Sequence, residues 1–331
     1  MNFKPVTPFV QKEFSKYESL RSIYMSEGHF LNQFLWENYY HTQYATDDIA
    51  LYLYVKRDSA QGFFAPLCRE EYLTEAFCRM EHYMEDTLHI KPSFYLADTR
   101  MVEILTENGQ LADYTVEGDR DCYDYVYDAD KLRTLSGKIM HKKKNLLNKF
   151  MKEYDGRYAY ETLGPDNIEE IEQFHEKWLD ERKIYDKYHC IDDEEEGIYR
   201  LFGNCHSIEC QMGGVRIDGE LKAYTIGSYD PALKMAMIHI EKADVNYTGL
   251  YNYINQQFVP GSVTIIPVGE SHVKITDKNK ESLTFTVNIF GDIIDADTNK
   301  IIAEAKAAHT LSVPFQEPKK WANKIGNYNW H

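Results

Sequence analysis

Two side chains that can move protons stand two residues apart in the segment Met235–Lys242. His239 and Glu241 lie in a stretch with strand-like composition, so alternation predicts that both occupy one face, about 7 Å apart. An imidazole or a carboxylate there can take a proton from an attacking amine near neutral pH. The alternative interpretation is structural, with a packed histidine and a surface carboxylate paired to Lys242 or Lys222.

A basic segment, Leu135–Lys152, is the second feature that could carry chemistry. Its period indicates an amphipathic helix with Ser136 as the N-cap, and Lys143 falls on the apolar face, where it must snorkel or meet a partner in a cleft. Residues 131–157 hold nine Lys or Arg against two Asp or Glu, in a chain of net charge −16. The pattern predicts a local anion site, and the alternative is a solvated helix face. The candidate residues of this site are Lys138, His141, Lys142, Lys143, Asn145 and Lys149.

The length of 331 residues favours two domains, which we place at 1–134 and at 135–331, the second opening with the basic helix 135–152. The negative net charge argues against general nucleic-acid binding but allows one RNA to touch one basic patch. The N-terminal sequence lacks the apolar core of a signal peptide, and no apolar run approaches the ~20 residues of a membrane span. We therefore expect a cytoplasmic protein without a transmembrane segment.

The six cysteines form no CxxC pair, so we interpret them as reduced thiols. The group Cys190, Cys205, His206 and Cys210 contains zinc-binding residue types, but its spacing matches no established ligand pattern. We predict no metal site.

The order of helices and strands is similar on the two sides of the basic segment, which indicates a structural duplication. Before it, the patterns predict helices in 3–22, 31–44, 70–88 and 99–108, and strands at 50–56, 62–67, 93–97 and 121–127. After it, they predict helices at 165–182, 192–202 and 249–258, and strands at 158–163, 210–217, 221–229, 235–242 and 263–268.

This order, with two helices, three antiparallel strands, a helix and a strand, resembles the GNAT N-acyltransferase fold. The motifs narrow the resemblance to soluble bacterial proteins related to the C-terminal domain of phosphatidylglycerol lysyltransferase, over residues 25–260. The motifs that carry it are Asp124–Asp128, Leu135–Lys138, His141–Phe150, His239–Ala243 and Tyr251–Phe258.

The resemblance implies an α/β (α+β) fold of two tandem GNAT-like acyl-CoA N-acyltransferase domains, each a mixed sheet flanked by helices. It also implies a transferase that moves an aminoacyl group from aminoacyl-tRNA to an amine or hydroxyl. The acceptor would be a small molecule, a lipid headgroup or a peptide. The tRNA 3′ end would lie across the basic helix.

The turn that holds the coenzyme A pyrophosphate in GNAT proteins is altered in this sequence. The corresponding stretch, Asn246–Tyr251, keeps one glycine, lacks the leading Gln or Arg, and ends in a bulky tyrosine. We therefore expect no cofactor, with acetyl-CoA disfavoured. An acyl-CoA-dependent N-acyltransferase and a non-catalytic binding protein on a GNAT scaffold remain the alternatives. The residues expected to line the cleft are Tyr247, Gly249, Tyr251 and Asn255.

The segment 260–331 departs from the family pattern, which there would supply an Asn-Arg-Glu-type loop and a Gly-Leu-Arg-Lys-like helix. In this sequence, residues 260–295 are rich in β-forming side chains, and 298–309 predict a helix. The alternative of a binding protein without activity depends on this replacement.

Overall fold

The computed structural model describes residues 1–57, 60–118, 124, 126–127, 129–183, 190–230 and 234–257, together with the backbone of five strands between 264 and 304. The helices are α1 (Gln11–Glu18), α2 (Phe30–Leu35), α3 (Glu37–Tyr40), α4 (Leu73–His82), α5 (Thr99–Glu107), α6 (Ala129–Thr134), α7 (His141–Glu153), α8 (Ile168–Lys183), α9 (Cys190–Phe202) and α10 (Leu250–Gln257). The strands are β1 (Lys4–Pro5), β2 (Gln43–Thr46), β3 (Ala50–Arg57), β4 (Ala60–Phe63), β5 (Leu67–Cys68), β6 (Tyr158–Leu163), β7 (Gln211–Ile217), β8 (Glu220–Asp230), β9 (Met235–Ala243), β10 (Thr264–Pro267), β11 (His272–Thr276), β12 (Ser282–Val287), β13 (Asp292–Asp295) and β14 (Ile301–Glu304). The fold is therefore mixed α/β.

Contacts divide the chain into two compact units, and each is discontinuous in sequence. The first unit combines Met1–Val126 with Leu163–Gln211, and the second combines Tyr127–Thr162 with the described residues from Met212 onward. This division differs from the predicted boundary at 134/135, because α8 and α9 belong with the N-terminal helices.

An ion pair and hydrogen bonds of Arg200 hold helix α9 against α2 and α3 inside the first unit. The Arg200 guanidinium donates to the Glu37 carboxylate at 2.6 Å and to the Asn38 side-chain oxygen at 2.7 Å, and it also bonds the Phe34 carbonyl. Gly197 allows the close approach of the two helices, since a Cβ there would stand 2.0 Å from the Leu35 carbonyl oxygen.

The first unit contains an antiparallel sheet of order β1-β2-β3-β4, with β5 also paired to β3. Its core is built from the inner side chains of β3 and β4 and the apolar faces of α4 and α5. The predicted strand 93–97 is wrong, because only Phe94 forms a bridge, to Phe63. The backbones come close there, since a Cβ on Gly62 would lie 2.2 Å from the Ser93 carbonyl oxygen.

The predicted helix 31–44 is also wrong in extent. Helix α2 ends at Leu35, and α3 ends where His41 takes a left-handed conformation with φ 48°, after which the chain enters β2. A left-handed residue ends a helix because the next N–H turns away from the helical ladder. The predicted strand 121–127 lies largely outside the described residues, and its described positions are not in a strand.

The second unit contains the sheet β6-β7-β8-β9, against which α7 and α10 pack. Asp218 and Gly219, a residue pair typical of hairpin turns, form the turn between β7 and β8, both with positive φ. The core lies between the sheet and the two helices. Its buried side chains include Leu147, Phe150, Val215, Ala223, Ala243, Leu250 and Ile254.

The strands β10 to β14 form a separate antiparallel sheet in chain order. This confirms the β-rich character of 260–295. The predicted helix 298–309 is wrong at Ile301–Glu304, which pairs with β13, because strand pairing overrides the helix propensity of an alanine-rich segment. No helix in the described part of the chain is long and apolar enough to cross a membrane.

Candidate active site

The basic segment is helical, but over a shorter range than its sequence predicts. Leu135 has φ 45° and Gly137 φ 92°, so the chain turns between α6 and a short 3-10 segment, Lys138–Met140, that leads into α7. Ser136 is therefore not an N-cap, and the predicted cap is wrong. Residues 141–153 form the helix, with Leu147 and Phe150 buried.

A β-bulge decides where the two candidate catalytic side chains point. Ile226 pairs with Ile240, but its neighbour Gly227 pairs with Ile238, so His239 is an extra residue in β9. A bulge of this kind re-aims a side chain and interrupts alternation. The prediction that His239 and Glu241 share one face was wrong for this reason.

The two side chains have different partners on either side of the bulge. His239 Nε2 lies 2.8 Å from the Ser228 hydroxyl, in a hydrogen bond whose direction depends on the tautomer. Glu241 pairs in register with Thr225, next to the Ala223–Ala243 pair that packs against α7 and α10. Glu241 thus lies on the face of the sheet that α7 and α10 cover. His239 lies on the other face, with Ser228.

Glu241 places a carboxyl group on the face of the sheet that α7 and α10 cover. The Asn255 side-chain amide, on α10, donates to its carboxylate at 3.1 Å. Burial raises the pKa of Glu241 to about 7, against the opposing effects of the Asn255 hydrogen bond and of the charges on Lys143 and Lys242. The residue keeps partial solvent exposure. A half-buried carboxyl group with this pKa can accept a proton near neutral pH.

Lys143 meets a partner on the apolar side of α7, as its position in the helix predicts. Its ammonium lies 4.6 Å from the centroid of the Tyr127 ring and 3.4 Å from the Tyr127 hydroxyl, to which it donates. Burial lowers the pKa of Lys143, and the charge of Glu241 opposes that change. Lys143 and Glu241 therefore interact electrostatically in one half-buried cluster.

The other members of the predicted anion site lie on the outer side of α7. The His141 ring is 3.3 Å from the Asn145 amide. The remaining side chains are exposed lysines: Lys138, Lys142 and Lys149. Their anion binding stays a prediction, since an exposed basic stripe also describes a solvated helix face.

The four predicted cleft residues have different positions. Asn255 contacts Glu241, whereas the Tyr247 ring packs 5.3 Å from the Tyr154 ring. Tyr251 is half-buried against the core of the second unit. Gly249 has φ 92°, and a Cβ there would stand 2.3 Å from the Leu146 carbonyl oxygen, so close packing of α10 on α7 requires this glycine.

Sequence reasoning missed Tyr127 as a site residue, although it belongs to the Asp124–Asp128 motif. It also missed a pair of carboxyl groups in the first unit. The Ser26 N–H donates to Asp124 at 2.7 Å, and the Ser26 hydroxyl lies 3.3 Å from Glu27 Oε2 and 3.4 Å from Asp124 Oδ1. Burial raises the pKa of Glu27 to about 8, reinforced by the Asp124 charge, and burial also raises the pKa of Asp124.

The cysteines show no catalytic environment in the described residues. Cys68 and Cys205 are buried free thiols, and burial raises the pKa of both. Among the described residues, no three His, Cys, Asp or Glu side chains come together to hold a metal ion. The side chains of Cys122 and Cys190 lie outside the described residues.

Comparison with known proteins places this site in a family. The family model "Phosphatidylglycerol lysyltransferase, C-terminal" matches residues 19–261. A crystal structure of a conserved protein of unknown function from Bacteroides thetaiotaomicron VPI-5482 is similar with a TM-score of 0.67 and 22% identity, covering 78% of this chain and 86% of that chain. No curated protein matches the chain.

Two further structures share the fold at a TM-score of 0.53. One is the C-terminal domain (DUF2156) of a proposed lysylphosphatidylglycerol synthetase from Agrobacterium fabrum, with 11% identity over 76% of this chain and 75% of that chain. The other is L-PGS from Bacillus licheniformis, with 14% identity over 76% of this chain and 75% of that chain. The family match spans most of the sequence and agrees with the motifs, so the chain belongs to the phosphatidylglycerol lysyltransferase C-terminal family.

Proposed function

We propose that this protein is an aminoacyltransferase that moves an aminoacyl group from aminoacyl-tRNA to an amine or hydroxyl acceptor, with Glu241 as the general base. The observation that carries the proposal is the half-buried Glu241 carboxyl group between Asn255 and Lys143, with a pKa raised to about 7. Family membership supports a transferase. The acceptor would be a small molecule, a lipid headgroup or a peptide.

In the proposed reaction, Glu241 accepts a proton from the acceptor nitrogen or oxygen as that atom attacks the ester carbonyl carbon of the aminoacyl-tRNA. The new bond to carbon forms, the carbon–oxygen bond to the terminal ribose breaks, and the proton passes to the ribose oxygen. The Lys143 charge favours the ionised form of Glu241, which is the form that accepts the proton. Asn255 orients the Glu241 carboxylate through its hydrogen bond.

The donor would bind along the outer face of α7. Lys138, Lys142 and Lys149 are exposed there and can contact phosphate oxygens. Aromatic side chains of the tyrosine-rich second unit would stack with bases of the 3′ end.

Two finer features belong to the same proposal. Each of the two units contains an antiparallel sheet packed against helices, which supports two GNAT-like halves that arose by tandem duplication. Coenzyme A is disfavoured as the carrier, because the one glycine of the altered turn is required by the packing of α10 on Leu146, and the turn lacks the residues that would cradle a pyrophosphate. His239 is bonded to Ser228 and has no part in this mechanism.

The test measures transfer and tRNA binding together. The wild-type protein should move a labelled aminoacyl group from a mixed aminoacyl-tRNA pool to an added amine or phospholipid acceptor. Replacing Lys138, Lys142 and Lys149 with Gln should weaken tRNA binding and flatten its salt dependence, whereas the exposed lysines Lys12, Lys16 and Lys91 changed to Gln should not. If the wild-type protein binds no tRNA at low salt, aminoacyl-tRNA is not the donor.

A second measurement separates the carriers. Acetyl-CoA at millimolar concentration should leave the melting temperature of the protein unchanged, because the altered turn Asn246–Tyr251 lacks the residues that would bind a pyrophosphate. An increase of several degrees would favour the acyl-CoA-dependent reaction instead.

A further inference from the structure

Lys143 differs from the two lysines beside it. Lys142 and Lys144 are exposed, whereas Lys143 is half-buried on the side of α7 that carries Leu147 and Phe150. Its Nζ lies over the Tyr127 ring and within hydrogen-bonding distance of the Tyr127 hydroxyl. Lys143 thus brings a half-buried amine into the group of side chains whose charges act on Glu241.

The electrostatic environment makes this amine a better nucleophile than an exposed lysine. Burial lowers the pKa of Lys143, so more of it is the neutral amine near neutral pH. Glu241, which interacts with it, can accept the proton that the amine nitrogen loses as it attacks. A desolvated lysine next to a base is a recognised arrangement for nucleophilic catalysis.

We propose that Lys143 is a self-acylation site, at which the protein transfers an acyl group from an activated ester to its own ε-amine. The inference rests on Glu241 acting as the base, as in the proposed function, but it requires neither tRNA nor an external acceptor. Lys143 would act as an internal acceptor, held against Tyr127 and close enough to Glu241 for their charges to interact.

The step balances without a further reactant. The Lys143 nitrogen attacks the carbonyl carbon of the ester, an N–C amide bond forms, and the C–O bond of the ester breaks. The proton lost from nitrogen passes to Glu241 and then to the leaving oxygen. The product is a neutral amide, and where Lys143 starts as an ammonium a further proton is released to solvent before the attack.

This modification would regulate the same site. Loss of the Lys143 charge removes one of the interactions that hold down the pKa of Glu241, so less Glu241 would be ionised at neutral pH. Acylation also places a bulkier group beside Tyr127. The acylated protein would therefore transfer more slowly to an external acceptor.

The experiment uses p-nitrophenyl acetate as the probe and the full-length protein. Intact-protein mass spectrometry follows acetylation over time, and fragment ions assign it among Lys142, Lys143 and Lys144. We expect Lys143 to react about tenfold faster than either neighbour. Hydroxylamine should not remove the group, which distinguishes the Lys143 amide from an ester on Tyr127. Equal reaction of the three lysines, or a hydroxylamine-labile product, would overturn the proposal.

Matched variants give the second readout. Lys143→Arg should lose the fast phase, whereas Lys142→Arg and Lys144→Arg should keep it, and Glu241→Gln should slow it by about tenfold or more because the base is missing. A fast phase that survives Lys143→Arg would contradict the assignment. Since fragment ions locate the group in the wild-type protein, the result does not depend on the folding of a variant.

The outcome is also distinguishable from that of the proposed function. Rapid Lys143 acetylation without aminoacyl transfer to any added acceptor would support self-acylation and count against the aminoacyltransferase. Aminoacyl transfer to an added acceptor, with acetylation of Lys143 no faster than that of Lys142, would support the aminoacyltransferase and count against self-acylation.

Discussion

Glu241 and the Glu27–Asp124 pair are two places where burial raises the pKa of a carboxyl group, and they differ in what surrounds it. Around Glu241, an amide donor and the ammonium groups of Lys143 and Lys242 oppose the effect of burial. Around Glu27, the neighbouring Asp124 charge adds to it. The first group is held near the pH at which it can exchange a proton, whereas the second is held in its protonated form.

The difference shows why a perturbed pKa alone does not identify an active site. Glu241 keeps partial exposure and stands beside an amine, so a substrate could reach it. Glu27 is 9% exposed, and its carboxyl group lies 3.3 Å from the Ser26 hydroxyl, whereas the Ser26 N–H donates to Asp124. For this reason the proposed general base is Glu241, and the pair is proposed to be structural.

The largest effect should come from Glu241→Gln. The amide cannot accept the proton, so aminoacyl transfer should fall about 100-fold or more, as expected for loss of a general base. The melting temperature should change little, because the shape and the Asn255 contact are nearly preserved. Glu220→Gln, an exposed control that pairs with Lys222 at the surface, should keep full transfer.

Transfer that persists in Glu241→Gln but is lost in His239→Gln would mean that His239, and not Glu241, is the general base. Loss of transfer in Cys205→Ser would point instead to a cysteine, which its buried thiol does not favour.

Features set by local pattern were predictable from sequence. The basic helix, predicted over 135–152 and observed over 141–153, the inward position of Lys143 and the Asp218–Gly219 turn follow from periodicity and turn chemistry. The link between Asn255 and Glu241 was predicted only as membership of one cleft. Both residues lie in motifs that carry the family resemblance. Their hydrogen bond, however, forms only where α10 packs against the sheet.

Features that depend on pairing between distant segments were not predictable. The bulge at His239 is a property of β8 and β9 together, and a single strand read by alternation cannot show it. The attachment of α9 to α2 depends on Arg200 and Gly197 meeting residues more than 160 positions earlier. The Glu27–Asp124 pair joins segments separated by 98 positions at Ser26, and neither segment signals the other.

The next effect concerns stability, and Glu27→Gln tests it. Folded Glu27 has a pKa of about 8 against an ordinary value of 4.5, so the folded state binds the proton more tightly than the unfolded state. Its contribution to stability is therefore fully present below pH 4.5 and is lost as the pH rises toward 8. Glu27→Gln, which stays neutral, should be more stable than wild type at pH 8 to 9, by on the order of 1–3 kcal/mol.

Chemical denaturation at a series of pH values measures this difference, and Glu107→Gln at an exposed position is the matched control. If Glu27→Gln and wild type lose stability in parallel between pH 5 and 9, the carboxyl pair is not protonated in the folded protein. The contrast with Glu241 would then disappear.

The smallest effect should be a shift in the pH dependence of transfer in Lys143→Met. In the wild-type protein the rate should rise as Glu241 loses its proton, with a midpoint near pH 7. Removing the Lys143 charge removes one interaction that favours the ionised form, so the midpoint should move to higher pH, by less than about one unit. The Asn255 hydrogen bond and Lys242 still oppose burial in the variant, which limits the shift. Lys142→Met, on the exposed side of α7, should leave the midpoint in place, and a downward shift in Lys143→Met would mean that Lys143 does not stabilise the Glu241 carboxylate.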